Sequence, residues 1–323
     1  MMKVTLTGEA DTLNPLGTGA GAGAAVAAPK AHAPSRLADY LELTKPKIAV
    51  MALFTVGAGY LLAAGGSAGW STLLHTLIGA GLVAAGGSAL NQLFERRIDA
   101  KMRRTRKRPL PSGRLTPEEV AAVGAGLAGA GLAYLAATAG AAATVAAALT
   151  FIAYAFVYTP MKTWTVWNTV VGAVPGALPP VIGWYAAQGW GGAEWEGAAA
   201  LFAILFLWQL PHFLAIAWMY RADYAAGGLK MLPGSDPTGK LTAFAMVVTA
   251  AALLPLAVLV PLAGLGGWLF GVGAVLFGLS FLRRTVEFAL DRTDRKARKV
   301  LLSSLFYLPG VFALLMIDVL LVK

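Results

Sequence analysis

Nine stretches of mostly apolar residues follow one another along this chain, at 47–66, 72–94, 117–137, 141–160, 166–187, 197–219, 241–262, 266–283 and 300–321. About 20 such residues in a helix cross the hydrocarbon core of a bilayer. The pattern therefore predicts an all-α integral membrane protein of nine spans. Turn residues punctuate the joins: Gly65-Gly66, the segment from Pro109 to Gly113, Gly191-Gly192, Pro233-Gly234, and Gly264 to Gly267. Thr116-Pro117-Glu118-Glu119 reads as an N-cap, a proline at the first helical position and first-turn acids, which opens the third helix. Only 13% of the residues are charged, against roughly 25% in soluble chains, so a water-covered surface is excluded. With no cysteine, disulfides and thiolate metal sites are excluded too.

An odd number of spans puts the two ends on opposite sides. With the amino terminus inside, the inner segments hold five basic residues in the tail and entry, nine after the second span, one after the fourth, three after the sixth and seven after the eighth. Only Lys323 then falls outside. That asymmetry predicts a cytoplasmic amino terminus and a multi-pass protein of the cell's inner membrane. It also accounts for the net charge of +10 without nucleic acid. Residues 1–35 stand apart: Gly17 to Ala28 is almost all Gly and Ala, and no basic segment leads into an apolar one. They are expected to form a flexible cytoplasmic tail, with 36–323 as the membrane domain. Small residues at four-residue spacing in the third helix, Ala125, Gly129 and Ala133, are expected to let it approach a neighbour closely.

Ionisable and amide groups at membrane depth are costly, so each one is a functional candidate. Asn91, Glu95 and Asp99 at the end of the second span are four apart and share one helix face. Carboxylates on one face repel unless a cation lies between them, and hard oxygen ligands favour Mg²⁺, which takes one or two carboxylates plus phosphate oxygens. The basic run from Lys101 to Arg108 follows at once. A positive-inside loop would be basic in any case, but acids beside so many bases suit a diphosphate held by metal and arginine. Further pieces lie on two other inner loops. One is Tyr158-Thr159-Pro160-Met161-Lys162, and the other runs from Arg221-Ala222-Asp223-Tyr224 to Lys230-Met231-Leu232-Pro233. His212 falls inside the sixth span, as a satisfied core residue or a ligand contact; Asp223 reads as a helix-end acid or a metal ligand. His32 and His75 carry no functional reading. Asn168, Pro175, Pro179 and Pro180 suggest a bent fifth helix beside a cavity. Asp318 is expected to bond to another helix, and Trp190, Glu194, Trp195 and Glu196 to form an outer interfacial loop.

The order Asn91-x3-Glu95-x3-Asp99-x2-Met102-x-Arg104-Thr105-x2-Arg108-Pro109-Leu110 resembles the first signature of the UbiA superfamily of intramembrane prenyltransferases. Two further passages point to its haem-farnesylating branch. One is Tyr158 to Trp184; the other is Trp208-Gln209-Leu210-Pro211-His212-Phe213, running on to Asp223-Tyr224 and Met231-Leu232-Pro233. The likeness spans roughly 40–320 and implies a nine-helix bundle around a lipid-open cavity. It implies farnesyl transfer from farnesyl diphosphate to a vinyl group of haem b with addition of water, with Mg²⁺ as cofactor. A partner that forms haem A or assembles an oxidase would fit the same branch. The resemblance puts Asn91, Glu95, Asp99 and Asp223 at the metal, and Arg104, Arg108, Lys162, Lys230, Lys45 and Tyr158 near the diphosphate. His212 is then at the haem, and catalysis rests on Asn91, Glu95, Asp99 and Lys162. Two positions depart from the superfamily pattern: Glu95 where many members have Asp, and Met219 four before Asp223 where a second Asp is usual. A prenyltransferase acting on an aromatic or quinone precursor, a transporter, and a structural haem-delivery protein are the rival readings.

Overall fold

The computed structural model describes residues 35–190 and 195–322. The expected tail lies, but for Ser35, outside the described residues, as does Glu194. Among them, nine helices are long and apolar enough to cross a membrane.

Helix α1 (Arg36–Leu43) is short, amphipathic and capped by the Ser35 hydroxyl, which accepts from the Ala38 amide. Its Leu43 is buried while Leu37 and Leu41 are exposed, as suits a helix lying along a surface. The spans follow as α2 (Pro46–Ala64), α3 (Trp70–Asp99), α4 (Pro117–Thr138), α5 (Gly140–Met161), α6 (Asn168–Gln188) and α7 (Trp195–Met219). Short α8 (Arg221–Gly227) precedes α9 (Lys240–Leu262), α10 (Trp268–Leu290) and α11 (Asp294–Val322). α4 opens with the expected cap, elaborated into a capping box in which Thr116 and Glu119 each bond the other's backbone amide.

Three helix ends differ from the hydropathy reading. With 30 residues, α3 is about 45 Å long, against a hydrocarbon core of about 30 Å. It runs on past the expected end at 94 because no glycine or proline interrupts 95–99. Its last turns carry Glu95 and Asp99, both buried. α10 extends to Leu290 rather than 283, and Arg283 and Arg284 both pair with Glu287 one turn on. α11 begins at Asp294, six residues early. Charged residues that form helix well are invisible to a search for apolar runs.

The closest packing needs glycine. A methyl on Gly59 of α2 would overlap the Pro180 carbonyl of α6, and one on Gly183 would overlap the Val56 carbonyl. These helices cross almost backbone to backbone. α3 and α4 meet along a second seam of Gly79, Gly86, Gly124, Ala128 and Gly131. This corrects the expectation for α4: Ala125, Gly129 and Ala133 are exposed, and nothing lies within 4 Å of a Cβ built on Gly129. Nearly every face of α4 carries small residues, so spacing alone cannot say which one packs. α2 and α6 lie between two apolar clusters, one with α3, α4 and α5 and the other with α7, α9, α10 and α11. Asp318 does bond to another helix. Its carboxylate accepts from the Gly267 and Phe270 amides, 2.7 Å each, at the start of α10, where unpaired N–H groups need an acceptor.

Candidate active site

The site forms at the C-terminal ends of α3 and α5. Asn91, Glu95 and Asp99 are all buried, and each has a side-chain oxygen met by one basic side chain. Lys45 donates to Asn91 Oδ1 at 2.6 Å, Lys162 to Glu95 Oε1 at 2.6 Å, and Arg108 to Asp99 Oδ2 at 2.7 Å.

Local structure explains how each cation arrives. Lys45 sits in the turn between α1 and α2, at φ +49°, alone among described non-glycine residues in having a positive φ. Such a conformation costs of order 1 kcal/mol and persists where its surroundings hold it. Gln92 supplies part of that hold by donating to the Glu42 and Leu43 carbonyls at 3.3 and 3.1 Å. Arg114 supplies more through Asp39, at 2.8 Å. Arg108 lies nine residues past Asp99 and reaches back because the basic loop folds over the end of α3. There the Thr105 hydroxyl donates to the Asp99 carbonyl at 2.9 Å. Lys162 follows a π-helical turn at Ala153–Tyr158 in α5. Pro160 has no amide to offer the carbonyl one α-turn back. The Tyr154 carbonyl, five residues before Thr159, accepts from both the Thr159 amide and its hydroxyl, the latter at 2.9 Å, and that hydroxyl accepts from Asn91 Nδ2 at 3.0 Å. The wider turn stacks Tyr154 near Tyr158, with centroids 5.8 Å apart, and places the Lys162 ammonium 4.4 Å over the Tyr158 ring. Tyr158 packs on Gly172 of α6 so closely that a methyl there would overlap its ring.

Burial pushes the Lys45 ammonium down to about 7, with Glu95 opposing that shift and Arg108 adding to it. Burial works the same way on Lys162, yet the Glu95 carboxylate and the Tyr158 and Tyr154 oxygens hold it well above the ordinary lysine range.

The other expected residues are placed differently. Arg104 is exposed, with its guanidinium over the Tyr220 and Tyr224 rings at 5.2 and 5.9 Å and its amide donating to Asp223 Oδ2 at 3.3 Å. Asp223 thus clasps the basic loop. No group of three acidic or histidine side chains converges as a metal cluster among the described residues. Lys230 is exposed and donates to the Trp164 carbonyl at 3.2 Å, but its own amide bonds the Lys162 carbonyl at 2.7 Å and so links the two loops. Asn168 donates to the Lys230 carbonyl at 2.7 Å, and Gln209 to the Ala173 carbonyl at 2.7 Å in the proline-interrupted α6. His212 lies in α7 against Trp208 and Ser304. Tyr154 and Ser304 went unremarked because a hydroxyl in a span costs little and gives no hydropathy signal.

Mg²⁺ fits these residues. Asp99 Oδ1 is buried without a hydrogen-bond partner, a costly state for a carboxylate oxygen. It lies on the same helix face as Asn91 Oδ1 and the Glu95 carboxylate, all of them hard oxygen donors.

The chain belongs to the UbiA prenyltransferase family, whose model matches residues 52–308. Within it, the chain is similar to protoheme IX farnesyltransferases. That of Solibacter usitatus is 47% identical over 87% of this chain and 98% of its own length, and that of Salinibacter ruber is 47% identical with the same coverage. A mitochondrial protoheme IX farnesyltransferase of Arabidopsis thaliana is 41% identical over 84% of this chain and 62% of its own. A digeranylgeranylglyceryl phosphate synthase has the same fold, with a TM-score of 0.74 at 18% identity, over 88% of this chain and 99% of that one. So has a UbiA homologue from Archaeoglobus fulgidus bound to GPP and Mg²⁺, with a TM-score of 0.60 at 19% identity, over 86% and 99%. The protein is a multi-pass membrane prenyltransferase.

Proposed function

We propose that this enzyme transfers a farnesyl group from farnesyl diphosphate to a vinyl group of haem b and adds water, giving a hydroxyethylfarnesyl haem. The observation that carries the diphosphate half is the one-to-one pairing of Lys45, Lys162 and Arg108 with Asn91, Glu95 and Asp99. Similarity to protoheme IX farnesyltransferases over most of the chain supports the haem half. Asn91, Glu95 and Asp99 would hold Mg²⁺, with catalysis resting on them and Lys162. When bound, the ion would supply electrophilic stabilisation of the diphosphate oxygens.

The three cations can turn from their present partners to the phosphate oxygens as the diphosphate arrives. Lys45, Lys162 and Arg108 would balance the negative charge of the diphosphate, which grows by one as the bond from farnesyl C1 to oxygen breaks and its electron pair passes to the leaving group. Tyr158, already beneath an ammonium, offers its ring face to the allylic cation. The vinyl π electrons of haem then close on C1, and the resulting cation beside the porphyrin takes a water oxygen and releases a proton to solvent. Arg104 and Lys230, on the loops above, would complete the grip once those loops close, with Asp223 holding the basic loop in place. His212 would touch the haem.

The charge asymmetry supports a diphosphate site at the cytoplasmic face of the inner membrane, with the amino terminus on that side and residues 1–35 as a tail on the membrane domain. The product is lipid-soluble, which favours hand-over within the membrane to a protein that forms haem A or assembles an oxidase. Offering the purified protein farnesyl diphosphate with either haem b or an aromatic acid tests the acceptor. Prenylated haem alone is expected; prenylation of the aromatic acid alone would replace the substrate while keeping the family.

A further inference from the structure

Three hydrogen bonds meet at Ser304, which is fully buried in α11. Its hydroxyl donates to the Leu301 carbonyl at 2.6 Å, its own carbonyl accepts from Trp208 Nε1 at 2.8 Å, and its Oγ lies 2.7 Å from His212 Nδ1. Trp208 and His212, one turn apart on α7, stack at 5.0 Å and 28°, and Phe213 meets the imidazole edge at 5.6 Å. Three neighbouring groups, the Ser304 hydroxyl and the Trp208 and Phe213 rings, thus fix the ring's position and plane.

The proton count fixes more. A serine hydroxyl carries one hydrogen, and the Leu301 carbonyl can only accept. With that hydrogen committed, Ser304 Oγ turns a lone pair to the imidazole, which must answer with Nδ1–H. A neutral imidazole has a single N–H, so Nε2 keeps its lone pair. No hydrogen bond reaches Nε2 among the described residues. His75 makes the contrast: its Nδ1 lies 2.6 Å from the Tyr134 hydroxyl, whose hydrogen has no other acceptor among the described residues, so nothing there selects a tautomer.

We propose that Ser304 is a positioning residue that holds His212 as the Nδ1–H tautomer, so that Nε2 is presented as an axial ligand to the iron of the haem substrate. The proposal rests on haem being the acceptor. Position agrees with it. Ala217 of α7 packs with Met102, three residues past Asp99, and His212 lies five residues deeper, about 7 Å along the helix axis. An iron held there would lie below the level of the diphosphate site. A histidine ligand whose other nitrogen is fixed by a hydrogen bond is the usual arrangement at metal sites, and losing that bond typically weakens binding about 10- to 100-fold.

The test uses the full chain in detergent, with haem b as the titrant and the Soret band as the readout. Wild-type protein is expected to bind haem with a histidine-ligated spectrum, and His212→Ala to lose that signature. Ser304→Ala should weaken haem binding about 10- to 100-fold while farnesyl diphosphate affinity stays unchanged, and Ser304→Thr, which keeps the hydroxyl, should recover most of the loss. Nitrogen NMR of histidine-labelled wild-type protein, with His212 assigned by its absence from the alanine variant, needs no altered serine and should show a protonated Nδ1. A protonated Nε2, or haem binding lost in His212→Ala but untouched in Ser304→Ala, would overturn the role of Ser304. An unchanged His212→Ala spectrum would overturn the ligand itself. Wild-type protein that farnesylates only a non-haem acceptor would instead remove the reading beneath both.

Discussion

At the scale of single residues, the site is a set of buried charges whose partners are interchangeable. Each expected metal ligand holds one expected phosphate-binding cation, and removing either member strands the other in a low-dielectric environment. Lys162→Ala leaves Glu95 buried without its ammonium and takes away the group under which Tyr158 lies. Turnover is expected to fall by at least about 10²-fold, the usual consequence of deleting a group that stabilises developing charge, with farnesyl diphosphate affinity falling as well. Steady-state rates and equilibrium binding measured on one preparation separate the two effects. Asp99→Asn keeps the shape and the hydrogen bond to Arg108 but halves the site's carboxylates. It should raise the Mg²⁺ concentration needed for half-maximal rate at least about tenfold, in line with losing a ligand from a two-carboxylate site; an unchanged Mg²⁺ response would remove Asp99 from the metal.

At the scale of helices, much of the molecule was legible in the sequence, and the failures share a cause. Nine runs of apolar residues predict nine helices because lipid leaves the backbone few alternatives. Asn91, Glu95 and Asp99 were legible because charge in a span is rare. Packing faces were not. α4 is built from Gly and Ala on every side, and only its neighbour shows that Gly124, Ala128 and Gly131 form the seam. Gly131→Leu should therefore lower thermal stability in detergent, where overpacking costs about 1–3 kcal/mol, while Gly129→Leu, facing lipid, should leave it nearly unchanged. Equal effects of the two would contradict the seam. The π-turn in α5 was equally hidden, since a run of apolar residues reads the same in an α-helical and a π-helical turn. Pro160→Ala is expected to restore an α-helical turn, rotate Tyr158 and Lys162 away from Glu95, and lower turnover more than stability, as rates and melting temperatures on one sample would show.

At the scale of the whole molecule, two groups of helices share α2 and α6 as a spine, and the loops after α3, α5 and α7 meet near the C-terminal ends of α3 and α5. Loop 2–3 is tied to α1 through Arg114 and to α8 through Asp223, and Lys230 ties the next inner loop to Lys162. The loops are thus joined into one connected structure. Its side of the membrane is testable because the chain has no cysteine of its own. Gly113→Cys, in loop 2–3, should react with an impermeant thiol reagent only from the cytoplasm, and Gly189→Cys, at the end of α6, only from outside; the reverse pattern would invert the topology.

The most direct measurement is turnover of the purified protein with haem b, farnesyl diphosphate and a graded series of Mg²⁺ concentrations, with the product read by mass, in wild type and Asp99→Asn. The account predicts a haem heavier by one farnesyl group and one water, absent when the metal is chelated and needing far more Mg²⁺ in the variant. Haem left unaltered at every metal concentration, or farnesylated equally well without metal, would contradict it.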